Sequence, residues 1–442
     1  MQILPLIIGC TAAAGCLIGA CICLRRKRYI DDLPTSKTQG VFIGLTELKG
    51  SAESESPLKS YLGGIDCVWY LWKVEEHWSR TVTYVDKDGT HTRTESGWKE
   101  VAAGGESPPF YLKDDTGVIL IQPKGANIHA TTSFSRRCGR SDPLYYGKGP
   151  RKNVADTTHI RRFHESALPL HTQLYIMGQA RERRDAVAAE IARDKASPMF
   201  IISTKSEKRL SGDYTIWIWV WCLLGLLCAA AGAYFTRITN FAHVLPEQFV
   251  IQGEFFPGNA PLEWKPFAIA GAVYLAVLTL GWTWTVYNSL VTMRNRVNQA
   301  RSQINIQLKR RADLIPGLVA CVDGYRKHET DVQQLITGLR AMAQTARENE
   351  IHGYSTELAA VAERHPELKA NRSFLALQNS LSDTESRIAL AHSYFNDIAT
   401  FYNTRLGIIP DRFVGWLGRL SPQALLQASE LERQPVKVKL AP

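Results

Sequence analysis

Outside its first apolar run the chain has no Cys-x-x-Cys pair, and only nine cysteines in 442 residues. Cys10, Cys16, Cys21, Cys23, Cys222 and Cys228 lie in apolar stretches, which leaves Cys67, Cys138 and Cys321 elsewhere. Three thiols build no disulfide framework and fit a reducing compartment. A structural zinc domain, which needs closely spaced Cys/His pairs, is excluded. No P-loop and no dinucleotide fingerprint occur, and Ser203 has neither a nucleophile-elbow context nor an assignable His/Asp partner. The net charge of +10 comes from Lys and Arg interleaved with acids, without a nucleic-acid-binding signature. No cofactor is expected, and nucleic acid is not expected as a partner.

Three windows lack charge altogether: Met1 to Leu24, Tyr214 to Thr236 and Pro266 to Met293. Each exceeds the roughly 20 apolar residues that cross a bilayer core. The reading is a multi-domain membrane protein with spans at 3–24, 214–235 and 266–287 and a loop at 236–265. Soluble parts occupy 30–210 and 288–420, and a flexible tail 421–442. Arg25, Arg26, Lys27 and Arg28 follow the first span, Lys205, Lys208 and Arg209 precede the second, and Arg294, Arg296 and Arg301 follow the third. The positive-inside rule then puts the N-terminus and the loop outside and both soluble parts in the cytoplasm. Arg25, Arg26, Lys27, Arg28, Arg294 and Arg296 lie close enough to the surface to attract anionic lipid. A cleavable signal is disfavoured because the basic run follows the apolar stretch. Ile7-Ile8-Gly9-Cys10 matches a lipobox only loosely. Gly15 and Gly19 form a small-residue pair suited to close helix packing.

Residues 30–210 are dense in turn residues, with short β-forming runs at 67–74, 81–85, 117–121 and 174–177. Thr81–Val85 and Thr90–Thr94 read as a hairpin around Asp88-Gly89. This predicts a mainly β domain with a helix at 180–195, where charges of both signs surround Val187 and Ile191. Glu75 and Glu76, as strand neighbours, point to opposite faces and share no site. Arg161-Arg162 beside His164-Glu165 reads as a solvated charge run in preference to an anion site. Cys67-Val68-Trp69-Tyr70, Pro109-Phe110-Tyr111-Leu112, Asp115-Thr116-Gly117, Arg161–Glu165, Leu174–Gly178 and Phe200–Thr204 occur in an order that resembles the GIDE-type domain of membrane-bound E3 ubiquitin ligases. The resemblance implies a ligase-like ancestry. The RING that transfers ubiquitin in those proteins has no counterpart among these cysteines.

The period changes to helical after residue 286. Val286, Leu290, Met293, Val297, Ala300, Ile304 and Leu308 form one heptad seam. Phe374, Leu377, Leu381, Ile388, Ala391, Phe395, Ile398 and Tyr402 form a second stripe, and shorter helices are expected at 332–348 and 355–364. An antiparallel helical bundle follows, its first helix continuous with the third span. Pro316 should kink or end that helix, leaving Lys309, Arg310 and Arg311 near a helix C-terminus. Gln307–Pro316, His365–Asn371, Arg387-Ile388-Ala389, Phe395-Asn396, Tyr402-Asn403 and Ile409-Pro410 closely resemble the LemA family. His392, Phe395 and Ile409 depart from its usual residues. The resemblance implies a fold and a membrane setting without a defined reaction. Lys309, Arg310, Arg311, Asp313, Asn371, Asn396 and Asn403 are candidates for an interaction surface, weighed against a role in caps and intrabundle pairs. The expected function is a non-enzymatic scaffold of the bacterial cytoplasmic membrane that recruits a protein partner. The alternatives are an E3-ligase-like protein and a lipid-binding, membrane-shaping device, and self-association stays open.

Overall fold

The computed structural model describes residues 4–86, 89–183, 188–194, 197, 199–242, 265–323 and 372–426. They fall into two compact units, Thr35–Glu207 and the combination of Met1–Pro34 with Lys208–Pro442.

The first unit is mainly β. Its strands are β1 (Thr35–Ser36), β2 (Gly44–Glu53), β3 (Leu58–Lys59), β4 (Asp66–Asp86), β5 (Gly89–Glu106), β6 (Phe110–Lys113), β7 (Val118–Ile121), β8 (Asn127–His129), β9 (Thr131–Gly139), β10 (Thr157–Pro169), β11 (Gln173–Glu182), β12 (Ala189–Ala192) and β13 (Ile201–Ser203). In the first sheet β2, β6, β7, β12 and β11 close into a ring, because β11 pairs back onto β2. Closure removes the exposed edges that an open sheet must protect. Leu48, Phe110, Leu112, Ile121, Ile176 and Ile191 pack in its interior. Strand β11 is flanked on both sides, so its run Leu174–Gly178 is apolar and wholly buried. Gly50 marks a tight crossing, since a Cβ there would stand 2.4 Å from the Lys113 carbonyl oxygen. The second sheet runs β3-β4-β10-β9, with β5 on β4.

The hairpin expected around Asp88-Gly89 is present, with Thr81 opposite Thr94. None of the described residues within the helix expected at 180–195 is helical. Residues 179–182 and 189–192 instead pair as antiparallel strands, with Arg181 opposite Glu190. The mixed charges that suggested helical i,i+4 pairs form a cross-strand pair, Arg181 Nε donating to Glu190 Oε1 at 2.7 Å.

The second unit holds three helices long and apolar enough to cross a membrane. Helix α1 is Leu4–Asp31, α3 Glu207–Ala242 and α4 Lys265–Asp323, with the short α2 (Pro143–Gly147) belonging to the β unit. Helices α5 (Arg372–Gly407) and α6 (Asp411–Leu417) follow. On α1 the buried residues Gly9, Ala13, Cys16, Leu17 and Ala20 form a helical stripe. The close approach lies on that stripe, where a Cβ at Gly9 would come within 2.6 Å of the Gly232 Cα. Gly15, off the stripe, faces nothing within 4 Å, and Gly19 meets the Trp221 ring. The contact glycine is therefore Gly9, and the Gly15–Gly19 spacing does not define it.

The seam from Val286 to Leu308 and the stripe from Phe374 to Tyr402 are buried except Leu377, which is half-buried. Gly317 lies against Leu377, Arg301 over the Phe395 ring, and Leu290 near Gly415 beyond α5, so α4 and α5 run antiparallel. Pro316 does not end α4, which continues to Asp323. Lys309, Arg310 and Arg311 thus stand within a helix, more than two turns from its end, where its dipole gives them little. The helices expected at 332–348 and 355–364, and most of the loop at 236–265, lie outside the described residues.

Candidate functional site

Exposed Lys309 and Arg310 occupy the solvent side of α4, as does Asp313. Arg311 points to the other side and is buried. Asn371 lies outside the described residues. Asn396 and Asn403 are occupied by the chain itself. Asn396 Nδ2 donates to the Leu426 carbonyl at 3.0 Å, and its Oδ1 accepts from the Leu426 amide at 2.9 Å. Asn403 does the same to Gln423, both contacts at 2.8 Å. Seven helical residues rise ~10 Å and three extended ones span about the same, so two side-chain amides two turns apart match one extended segment. The flexible tail expected from 421 is thus fastened to α5 at Gln423 and Leu426.

A second constellation joins the end of α1 to α4, α5 and α6. Arg28 Nη1 donates to Asp411 Oδ2 at 3.5 Å, and Arg405 Nε donates to the same oxygen at 2.5 Å. Arg405 Nη1 also donates to Asp32, whose other oxygen accepts from the Ser289 hydroxyl. Asp32 and Asp411 are buried. Burial pushes the Asp32 carboxyl up to about 6 against the opposing Ser289 hydrogen bond and the Arg28 charge. Burial likewise raises Asp411. Sequence reasoning singled out Arg28 and missed Asp32, Ser289, Arg405 and Asp411. The available signal was acid directly after a basic run at a span end, where no acid is needed for topology.

Of the basic residues assigned to the membrane surface, Arg25 donates to the Tyr29 hydroxyl, Lys27 pairs with Asp31, and Arg26 and Arg294 are exposed. Arg296 makes no ion pair or hydrogen bond among the described residues.

In the β unit the run Arg161–Glu165, expected to be solvated, is so only on one face. Strand parity divides it: Arg161, Phe163 and Glu165 are buried and Arg162 faces out. Arg161 lies directly opposite Glu76 and Arg162 opposite Glu75, which gives one ion pair on each face. Arg161 donates to Glu76 Oε2 at 2.9 Å, to the carbonyls of Tyr145, Pro150 and Lys152, and to Asn153 Oδ1. Burial opposes the Glu76 charge, but hydrogen bonds from Thr157, Tyr145 and Arg161 outweigh it and hold this carboxyl below its ordinary value. Glu165 accepts from the Leu62 and Gly63 amides and the Ser133 hydroxyl. Both carboxylates are saturated and closed to solvent, an arrangement that fixes loops. Ser203 is buried, and its Oγ accepts from the Lys205 amide. No group of three or more His, Cys, Asp or Glu residues able to hold a metal ion occurs among the described residues.

Comparison with known proteins finds two separate families along the chain. Residues 300–440 match the model of the LemA family, and residues 79–234 match the model of the GIDE domain, described as E3 ubiquitin ligase. Protein LemA of Metamycoplasma hominis is 27% identical over 173 residues, covering 36% of this chain and 79% of that protein. No solved structure matches. Two buried charge networks, one in each unit, thus accompany two separate kinships: the chain joins a part similar to the LemA family to a part similar to the GIDE domain.

Proposed function

We propose that this protein is a non-enzymatic scaffold, anchored by three spans in a bacterial cytoplasmic membrane, that recruits a protein partner on the cytoplasmic side. The observation that carries this reading is α4. One helix of 59 residues joins an apolar segment to an amphipathic one without a break. Lys309 and Arg310 stand ~33 Å along the helix from the end of the span at 287. That distance exceeds the ~8 Å Debye length, so these two cations act on a soluble partner and not on lipid headgroups. The position of Arg25–Arg28, Lys205–Arg209 and Arg294–Arg301 beside the spans supports the cytoplasmic side.

The GIDE match favours a second reading, an E3-ligase-like protein. The chain's own cysteines and histidines do not supply the spaced pairs of a RING, so we place ligase chemistry outside this chain's residues.

The test uses the full chain in membranes, crosslinked and affinity-purified, with Lys309→Glu and Arg310→Glu combined. Loss of the crosslinked partner, at unchanged membrane retention, is expected. Equal recovery from both proteins overturns the surface assignment.

A further inference from the structure

Between α1, α3 and α4 lies a cavity of about 1310 Å³. It exceeds the ~300–1,000 Å³ of an ordinary small-molecule pocket. Along most of its length the lining is apolar, with Leu17 and Ile18 from α1, Trp219 and Cys222 from α3, and Leu278 and Trp282 from α4. One end is different. Arg25, Lys27, Arg28 and Arg296 line it together with Asp32 and Ser289. Lys27 is paired with Asp31, Arg28 with Asp411, and Asp32 with Arg405. Arg25 has no carboxylate partner among the described residues, and Arg296 makes no direct ion pair but lies in the field of Asp32, a carboxylate it shares with Arg405. The cavity therefore combines an elongated apolar wall with an excess of cations over carboxylates at one end.

We propose that this groove binds an anionic phospholipid, an acyl chain lying between the three helices and the phosphate at Arg25 and Arg296. Charge complementarity selects the occupant, because a zwitterionic headgroup brings its own cation and leaves the positive excess in place. Dimensions agree: Ala14 to Arg28 on α1 covers ~21 Å, more than half of a ~30 Å hydrocarbon core. Sequence position agrees as well, since Arg25 and Arg296 each follow an apolar window closely and so stand at headgroup depth. The inference rests on reading α1, α3 and α4 as spans, and the scaffold role is independent of it.

The experiment takes the full chain in mild detergent, stripped of lipid, and titrates phosphatidylglycerol or phosphatidylcholine of identical acyl chains by native mass spectrometry. Each cation at a membrane surface contributes roughly fivefold in affinity, so phosphatidylglycerol should bind roughly 25-fold more tightly. Arg25→Gln combined with Arg296→Gln should bring phosphatidylglycerol down to the phosphatidylcholine level and leave phosphatidylcholine unchanged. Ala14→Phe, which adds bulk to an exposed groove residue, should lower both. Equal affinity of the two lipids for the unaltered chain overturns the proposal. So does a preference that survives the double substitution, or binding indifferent to Ala14→Phe. Circular dichroism melts identify a variant that has merely lost its fold. Alkaline carbonate extraction separates the two failures: a chain released from membranes contradicts the spans, whereas a retained chain that holds no lipid contradicts the groove alone.

Discussion

Asp32 shows what burial does to one carboxyl. It titrates near 6 in the folded protein against an ordinary 3.8. Between those values the folded state holds a proton that the unfolded chain has released, so stability from this group is complete below 3.8 and is lost as pH rises through 6. The Ser289 hydrogen bond and the Arg28 and Arg296 charges oppose the shift, while Asp31 reinforces it. Asp32→Asn should therefore gain on the unaltered chain between pH 5 and 7.5 by about 1–3 kcal/mol, read as diverging melting temperatures in detergent. Parallel pH profiles would contradict this. Arg161 and Arg162 make a second contrast, since adjacent identical residues have opposite fates. Removing Arg161 (Arg161→Met) leaves the Glu76 charge buried without its partner and should cost about 3–5 kcal/mol. The exposed Arg162→Met should cost about 0–1 kcal/mol. Denaturant unfolding of the two variants compares them, and equal losses would show that the inward network contributes no more than a surface pair. The sequence shows that the two arginines lie on opposite faces. Which one faces inward depends on the loop around Arg161, built from Tyr145, Pro150 and Lys152, and no local pattern announces it.

At the scale of elements, legibility followed the length of the periodic signal. The seam from Val286 to Leu308 persists over several turns and was readable without a structure, as was the stripe on α5. Residues 180–195 were misread because alanines mixed with charges suit a helix locally, whereas Ile191 and Ala180 are drawn into the ring by pairing with distant strands. Of the two outcomes expected at Pro316, a kink or an end, the end does not occur. Burial of Ile315 and the contact of Gly317 with Leu377 of α5 accompany the continuation of the helix past a residue that removes one hydrogen bond. Ile304→Ala and Ile388→Ala should each cost ~2–5 kcal/mol in the helical unit. Lys309→Gln with Arg310→Gln should change the melting temperature little, because those side chains are solvated. Arg311 cannot be grouped with them, since it is buried. Unfolding caused by the exposed pair alone would mean that Lys309 and Arg310 are structural and would remove the proposed partner surface.

For the whole molecule, sidedness is the property charge defines most directly. A cysteine placed at Gly258 should react with an impermeant thiol reagent applied from outside, and cysteines at Gly89 or Ser355 should not. Labelling of Gly89 from outside would move the β unit across the membrane. The charge knot at the end of α1 adds a constraint in time. Arg28 and Asp32 are made early, while Arg405 and Asp411 lie 373 or more residues later in the chain. At roughly 5–20 residues per second, synthesis of the intervening chain takes on the order of 20–75 s. Until Ser289 is made, the first helix has only its apolar stripe to hold it, and Asp32 stays without Arg405 to the end of the interval. The knot closes only when α5 and α6 arrive, and a chain stopped before residue 405 never closes it.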